Sequence, residues 1–391
     1  MKPGIESLLR NQRRRLTGRR IALVSHSAAL DRTGAATAQL LFDRPECKLV
    51  CIMGPEHGYY SRQAAGDKCA DSRHPFWKIP VYSLYGATRK PTGRMLRGVD
   101  LIIIDLQDLG VRCYTYLATM YNVMQAAAEC GIPVIVADRP VPLPDCVDGP
   151  LPAPDFSSFV CPLPLPLVYG MTPGESARWI VGNTGLNLEL HVAPLMPETS
   201  KNALTDNQTR SAAAGKCPSP WSPPSPAIHS WDCARCYPAT VSFEALPHID
   251  HGRNSAAAFQ VFGAAWLHGR KIAAALQERR LAGVAFHSHI FNSAAAARPV
   301  DGVRITVTDR RRYRPALTAL HILHAIMHEH GNRRVWNNQS ARGDFFDKLW
   351  GGPAVREALL DGTAPEEIAA GWRKGIAKFK ITRRNCLLYG N

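Results

Sequence analysis

The chain has 391 residues, 46% of them hydrophobic and 20% charged, with a formal net charge of +15. That length exceeds what one hydrophobic core usually spans, so two domains are expected, and no apolar run of about eighteen residues is present to cross a bilayer. The surplus positive charge favours an anionic substrate. Nucleic acid is not expected as a partner, because the runs Arg13-Arg14-Arg15, Arg19-Arg20 and Arg310-Arg311-Arg312 come with no RNA- or DNA-binding signature.

The first twenty residues are basic but lack the apolar segment and small-residue cleavage site of a secretory signal. The expected location is the cytoplasm, or the periplasm if a leader has been removed. The eleven irregularly spaced cysteines agree with a reducing compartment, and Cys51, Cys130 and Cys161 sit in apolar surroundings that suit free thiols. Short apolar runs then alternate with helical patterns. Strands are expected at 20–25 (RIALVS), 48–53 (KLVCIM), 100–105 (DLIIID), 132–138 (IPVIVAD) and 188–195 (LELHVAPL), and their near-continuous Val, Ile and Leu suit a parallel sheet buried on both faces. A helix is expected over 114–130, stopped by Gly131. A second covers 172–183, with Thr172 as cap, Pro173 in the first turn and Glu175 three residues after the Thr. Residues 139–168 are too rich in proline for helix or inner strand and read as a long ordered loop.

A polar and then proline-rich stretch, 200–228, marks the domain boundary, giving a first domain over 1–205 and a second over 206–391. In the second, GVAFHSHIF and GVRITVTD read as strands, RPALTALHILHAIMHEHG as a helix, and the segment from Asp344 onward as one short helix followed by two more. The expected fold is α/β, a Rossmann-like parallel-sheet N-terminal domain with a second, smaller α/β domain. No G-x-G-x-x-G or P-loop follows any strand, which argues against a dinucleotide enzyme.

In open α/β sheets, ligands bind beyond the carboxyl ends of the strands. Four of the expected strands end in polar groups: Ser25-His26-Ser27, Glu56-His57, Asp105 with Gln107 and Asp108, and Asp138-Arg139. If parallel, they bring these groups to one rim, beside Arg112, Tyr114 and Tyr116. Carboxylates with arginine and tyrosine suit glycoside hydrolysis, in which one carboxylic acid protonates the leaving oxygen and a second group activates water. Taken singly, each rim carboxylate serves equally well to cap a helix or order a loop.

GPEHG (54–58), IPVYSLYGATRKPT (79–92) and DLIIIDLQDLGVRCYTYLATM (100–120) are followed by ADRP (137–140), DGP (148–150), YGMTPGE (169–175), WSPPSP (221–226), CYP (236–238), FE (243–244), GR (252–253), GVRITVTD (302–309) and LLY (387–389). In this order, over nearly the whole chain, the sequence resembles the exo-acting β-N-acetylmuramidases, glycoside hydrolase family 171, as a divergent member. The resemblance implies two α/β domains with a cleft between them and removal of N-acetylmuramic acid from non-reducing ends of peptidoglycan fragments. The partner is then a peptidoglycan-derived sugar or muropeptide, with no cofactor, on a monomer or homodimer. It implies Glu56 as the catalytic acid with His57 as the adjacent histidine, and His57 and Asp105 or Asp108 are expected to position or activate water. Gln107, Arg112, Tyr114, Tyr116, Asp138, Arg139 and Glu244 are implied to bind substrate, with Arg112 or Arg139 on the lactyl carboxylate.

The chain departs from the family's pattern at Val141-Pro142 and Pro144-Asp145, where Asn-Pro and a glycine pair are usual, and at Tyr169, where the family has histidine. It departs again over 245–255, where Asp250-His251 and Asn254-Ser255 replace the usual Ser-Glu and Gly-Thr. These changes motivate an alternative, a sugar or muropeptide sensor without turnover. A zinc site at Cys233 and Cys236 with Cys217 and His229, and a metal site at His321, His324 and His328, are weaker readings. One CxxC lacks a second ligand pair, and the three histidines border an apolar helix stripe. Ser25-His26-Ser27 lacks the Gly-x-Ser-x-Gly turn of a serine nucleophile.

Overall fold

A computed structural model describes residues 1–154, 156–196, 217, 221–253, 255–293, 296 and 299–389. The boundary expected at 205 and the departure at Asn254 lie outside the described residues. Strands β1 (Arg20–Ser25), β2 (Lys48–Gly54), β3 (Ser72–Arg73), β4 (Pro80–Ser83), β5 (Leu101–Asp105), β6 (Val134–Ala137) and β7 (Leu190–Ala193) form one sheet in the order β3-β4-β2-β1-β5-β6-β7. Every neighbouring pair is parallel except β3 with β4. Without the small edge strand β3, this is the doubly wound order in which the chain reverses direction across the sheet between β1 and β5. The five expected strands are among these: β1 has the expected bounds, β2 runs one residue further, and β5, β6 and β7 are shorter by one, three and four residues. The pair β3 and β4 was not expected, since Pro80 and two- to four-residue lengths leave little pattern to read.

Helix α1 (Gly4–Asn11) packs with Ile5 and Leu8 on the sheet face that carries Ile21, Leu23, Ile103 and Ile135, and α2 (Thr37–Phe42) adds Leu41 there. Beyond the short α3 (Gly93–Leu96), the opposite face takes α4 (Tyr116–Glu129) and α5 (Pro173–Thr184). The capping box of α5 forms: Thr172 Oγ1 accepts from Glu175 N at 3.3 Å, and Thr172 N donates to Glu175 Oε2 at 3.0 Å. Helix α4 begins two residues later than expected, because Val111–Thr115 make the turn out of the β5 rim.

The second domain contains α6 (Trp231–Thr240), β8 (Val261–Gly263), α7 (Gly269–Glu278), β9 (Val284–Phe291), β10 (Val300–Val307) and α8 (Pro315–His330). Its sheet is antiparallel in the order β8-β10-β9. After α9 (Asn332–Trp336) come α10 (Gly343–Trp350), α11 (Ala354–Leu360), α12 (Pro365–Ala370) and α13 (Arg373–Arg384). From Asp344 onward three helices were expected and four are present: Gly371 and Trp372 separate α12 from α13.

One apolar cluster runs from Val24 and Ile104 of the first sheet through Leu117 and Trp179 to Phe262, Ile305, Leu323 and Trp350 of the second domain. The two domains thus share a core, which opposes sliding between them. The proline-dense loop seals the junction. Among its described residues it has only isolated bridges, and it is held by side chains. Arg112 donates to the carbonyls of Pro150 at 2.8 Å, Leu165 at 2.6 Å and Leu349 at 3.1 Å. Asp148 accepts from Ala316 N at 2.9 Å, Leu317 N at 3.2 Å and Arg314 Nη2 at 2.9 Å, filling the donors at the start of α8. The C-terminal tail returns to the first domain, where Tyr389 OH donates to Asp138 Oδ2 at 2.5 Å and accepts from Leu195 N at 2.8 Å.

Candidate active site

Where β2 ends, Gly54 is packed so closely that a Cβ would lie 2.4 Å from Tyr59 N. The chain then turns through Pro55 and Glu56 into His57, whose φ of +71° is unusual for a residue with a side chain, and Gly58 at +72°. The turn is closed by Gly58 N to Pro55 O at 2.9 Å. It delivers the Glu56 carboxylate and the His57 imidazole into a cavity of about 630 Å³. Glu56 Oε1 accepts from Gly66 N at 2.8 Å and Oε2 from Thr115 Oγ1 at 2.6 Å. His57 Nδ1 lies 2.7 Å from the Gln63 carbonyl. A carbonyl only accepts, so Nδ1 carries the ring hydrogen and Nε2 has the free lone pair. Burial lowers the His57 pKa, an effect that outweighs the opposing pull of the Gln63 carbonyl and of Glu56.

The second domain closes the cavity with Glu244, which stands on a 3-10 turn (Val241–Ala245) that follows α6. Glu244 Oε1 pairs with Arg253 Nη1 at 2.5 Å, and Arg342 hydrogen-bonds the Glu244 carbonyl. Burial is the largest influence on Glu244 and raises its pKa. Arg253 opposes this, and the charge of Glu56 adds to it. Tyr114 and Tyr85 line the same space, the Tyr85 phenol being pushed up by burial and by Glu56.

Of the residues expected from the sequence, the cavity brings together Glu56, His57, Tyr114 and Glu244. Asp105, Gln107, Asp108, Arg112, Tyr116, Asp138 and Arg139 are internal, each at most 3% exposed, and do not line it. The cavity lining gives no support to the expectation that Asp105 and Asp108 meet water or that Arg112 or Arg139 meets substrate, and each of these residues has internal partners. Asp105 is clamped by the Arg139 guanidinium, with Nη2 to Oδ2 at 3.0 Å, and by Thr37 Oγ1 at 2.5 Å. Gln107 spans to the Pro140 carbonyl at 2.8 Å, and its N–H donates to His26 Nε2 at 2.9 Å. Burial lowers the pKa of His26 to about 3, so it serves the rim as a neutral acceptor. Asp108 accepts from Tyr169 OH at 2.6 Å, and burial raises its pKa to about 6. The phenol of Tyr169, a departure from the family pattern, therefore has a defined acceptor. Tyr116 OH donates to the Pro224 carbonyl at 2.5 Å. Asp138 gathers Arg139 N, Gly174 N, Thr172 Oγ1 and Tyr389 OH at 2.5–2.9 Å.

The cations that do reach the cavity are Arg253 and Arg342. Arg253 lies within the Gly-Arg pair quoted above, but no role was assigned to it. Arg342 stands 98 positions from Glu244, with no local pattern to mark it. Asp250 and His251 also line the cavity, and burial lowers the His251 pKa to about 4. Cys233 and Cys236 are buried on α6, their thiols facing the carbonyls of Ala227 at 3.3 Å and Ile305 at 4.0 Å. His321 faces Glu366 at 3.1 Å, and the rings of His324 and His328 stack 6.4 Å apart. Among the described residues, no three His, Cys, Asp or Glu side chains gather as a metal site would require.

The family model described as Exo-beta-N-acetylmuramidase NamZ, N-terminal, matches residues 21–232, and the one described as Exo-beta-N-acetylmuramidase NamZ, C-terminal, matches residues 235–389. The peptidoglycan beta-N-acetylmuramidase NamZ of Bacillus subtilis (strain 168) is 32% identical over 390 residues, 99% of this chain and 91% of the relative. A DUF1343 family protein of Bacteroides fragilis NCTC 9343 is 29% identical and superposes with a TM-score of 0.88, covering 99% of this chain and 98% of its own. A second protein of that name from the same organism reaches 0.74 at 24% identity, over 100% and 99% of the two chains, a likeness of fold alone.

Proposed function

The chain belongs to the exo-beta-N-acetylmuramidase NamZ family, and on that footing we propose that Glu56 is the acid with which it detaches N-acetylmuramic acid from non-reducing ends of peptidoglycan. Family membership makes the chain a glycoside hydrolase acting on peptidoglycan. The observation that carries the residue assignment is an asymmetry between the two carboxyls of the cavity. Glu244 has a cation at 2.5 Å, whereas the hydrogen-bond partners of Glu56 are neutral, a backbone N–H and a hydroxyl. Arg253 ties Glu244 to its own wall of the cavity, whereas Glu56 has no cation to hold it among the described residues and faces the space from the end of β2, so Glu56 is the carboxyl placed to reach the leaving oxygen.

His57, neutral and with Nε2 free, is the base for the incoming water. Arg253 and Arg342 supply the positive charge that faces the lactyl carboxylate of the sugar. Charged donors on a carboxylate contribute about 1.5–3 kcal/mol each. Tyr114 and Tyr85 offer ring faces and phenols for the pyranose. Both carboxyls and the imidazole stand in the cavity, so the departures over 245–255 have not stripped it of reactive groups, and the sensor alternative has no structural support. The test is hydrolysis of a chromogenic N-acetylmuramide by the wild type and by Glu56→Gln. Turnover in the first and its loss in the second are expected, and an undiminished variant would refute the assignment.

A further inference from the structure

The loop that holds Glu56 has a second side. Residues Ala65 and Gly66 face the active-site cavity, but Lys68, Cys69 and Ala70 line a separate cleft of about 720 Å³. The partition continues on the neighbouring segment, where Tyr85 belongs to the cavity while Gly86, Ala87 and Thr88 belong to the cleft. The partition is thin and fixed. Cys69 N donates to Tyr85 O at 3.0 Å, Ser83 N donates to Asp71 Oδ1 at 2.9 Å, and Gly86 is packed so closely that a Cβ would sit 2.3 Å from Cys69 O. At its outer edge Arg89 lies over the rings of Tyr85 and Phe159, at 5.1 and 4.3 Å from their centroids.

The cleft lining sets two cations, Lys68 and Arg94, against one carboxylate, Asp71. Lys68 pairs with no carboxylate among the described residues, and Arg94, 73% exposed, reaches Asp71 only at 3.9 Å. The hydroxyls of Thr88 and Thr92 add hydrogen-bonding groups. An enzyme that removes a terminal sugar must leave the rest of the chain outside the cavity, and binding energy from that remote part can be used in the transition state. We propose that this cleft is a leaving-group subsite for the glycan beyond the scissile bond, with Lys68 and Arg94 receiving a carboxylate of the next muramyl unit. This rests on the glycosidase reading above.

The experiment compares wild type with Lys68→Ala/Arg94→Ala, both positions exposed, on three substrates: 4-nitrophenyl N-acetylmuramide, a peptide-free muramyl tetrasaccharide, and the same tetrasaccharide bearing peptide stems. The double variant is expected to keep its kcat/KM on the nitrophenyl substrate within about twofold. It should lose about fivefold to tenfold on a tetrasaccharide, and the loss should shrink at high salt. A loss only on the peptide-free tetrasaccharide assigns the carboxylate to the lactyl group, which the stems convert to an amide; a loss only with stems assigns it to the peptide; and a loss on both supports a cleft that takes either acid. Equal changes on short and long substrates, or none on any, overturn the subsite. Failure of the wild type on the nitrophenyl substrate would instead strike the glycosidase reading.

Discussion

Replacing Arg139 by methionine separates an internal support from a substrate ligand. The Asp105 side chain is fully buried and that of Arg139 is 4% exposed. The carboxylate takes two bonds from the guanidinium and one from Thr37, and Arg139 Nη2 also donates to the Leu30 carbonyl at 3.0 Å. Methionine fills most of the arginine's stem volume but leaves Asp105 charged, buried and with one donor. Breaking a buried pair from one side costs about 3–5 kcal/mol. At about 2 °C per kcal/mol for a long chain, the thermal midpoint should fall by about 6–10 °C. Removing the carboxylate as well, in Asp105→Ala/Arg139→Met, should restore a good part of this, since neither charge is then stranded. Thermal scans of the single and double variants, with kcat/KM measured well below the midpoint, give both readouts. The account predicts stability lost and kcat/KM kept within about threefold. A variant with an unchanged midpoint and a large rise in KM would refute the reasoning and return Arg139 to the substrate.

Other consequences are as direct. With His57 as base, activity requires its neutral form. Burial lowers its pKa below the ordinary 6.5, so the acidic limb of a kcat/KM–pH profile should fall below pH 6.5. A limb at or above that value would contradict the assignment. Arg342→Ala should raise KM for N-acetylmuramides by roughly 10- to 100-fold, the equivalent of one charged hydrogen bond. It should leave weak binding of the lactyl-free amino sugar unchanged, and equal losses on both sugars would oppose a lactyl contact. Thr172→Ala removes the α5 cap and a bond to Asp138 together. It should destabilise the protein by about 2–3 kcal/mol without altering KM, as read by denaturant titration.

Much of the architecture was legible because β-branched apolar runs have few other uses than inner strands, and the register places Ser25 beside Asp105 as a parallel rim requires. What could not be read was which rim groups face outward. Asp105 and Asp108 have the residue type and spacing of catalytic carboxylates, yet Arg139 folds back on one and Tyr169 reaches the other from a loop some sixty positions away. The path of the proline-dense segment decides this, and its pairing with Arg112 through backbone carbonyls leaves no side-chain pattern. Glu56 and His57 were visible because a two-residue turn delivers both. Arg342 was invisible because its relation to Glu244 exists only in three dimensions. The split of the final helix at Gly371 was missed because the apolar periodicity continues on both sides of it.

The central claim, that Glu56 drives release of a terminal sugar from this cavity, is tested most directly by analysing products from peptide-free muramyl oligosaccharides. A glutamine at this position would keep Gly66 N on its amide oxygen and donate its amide nitrogen to Thr115 Oγ1, whose hydroxyl hydrogen can rotate away, so Glu56→Gln should fold normally. The account predicts that the wild type liberates free N-acetylmuramic acid from the non-reducing end and that Glu56→Gln does so about 10²- to 10⁴-fold more slowly. Equal rates in the two proteins, or internal cleavage without release of the terminal sugar, would contradict it.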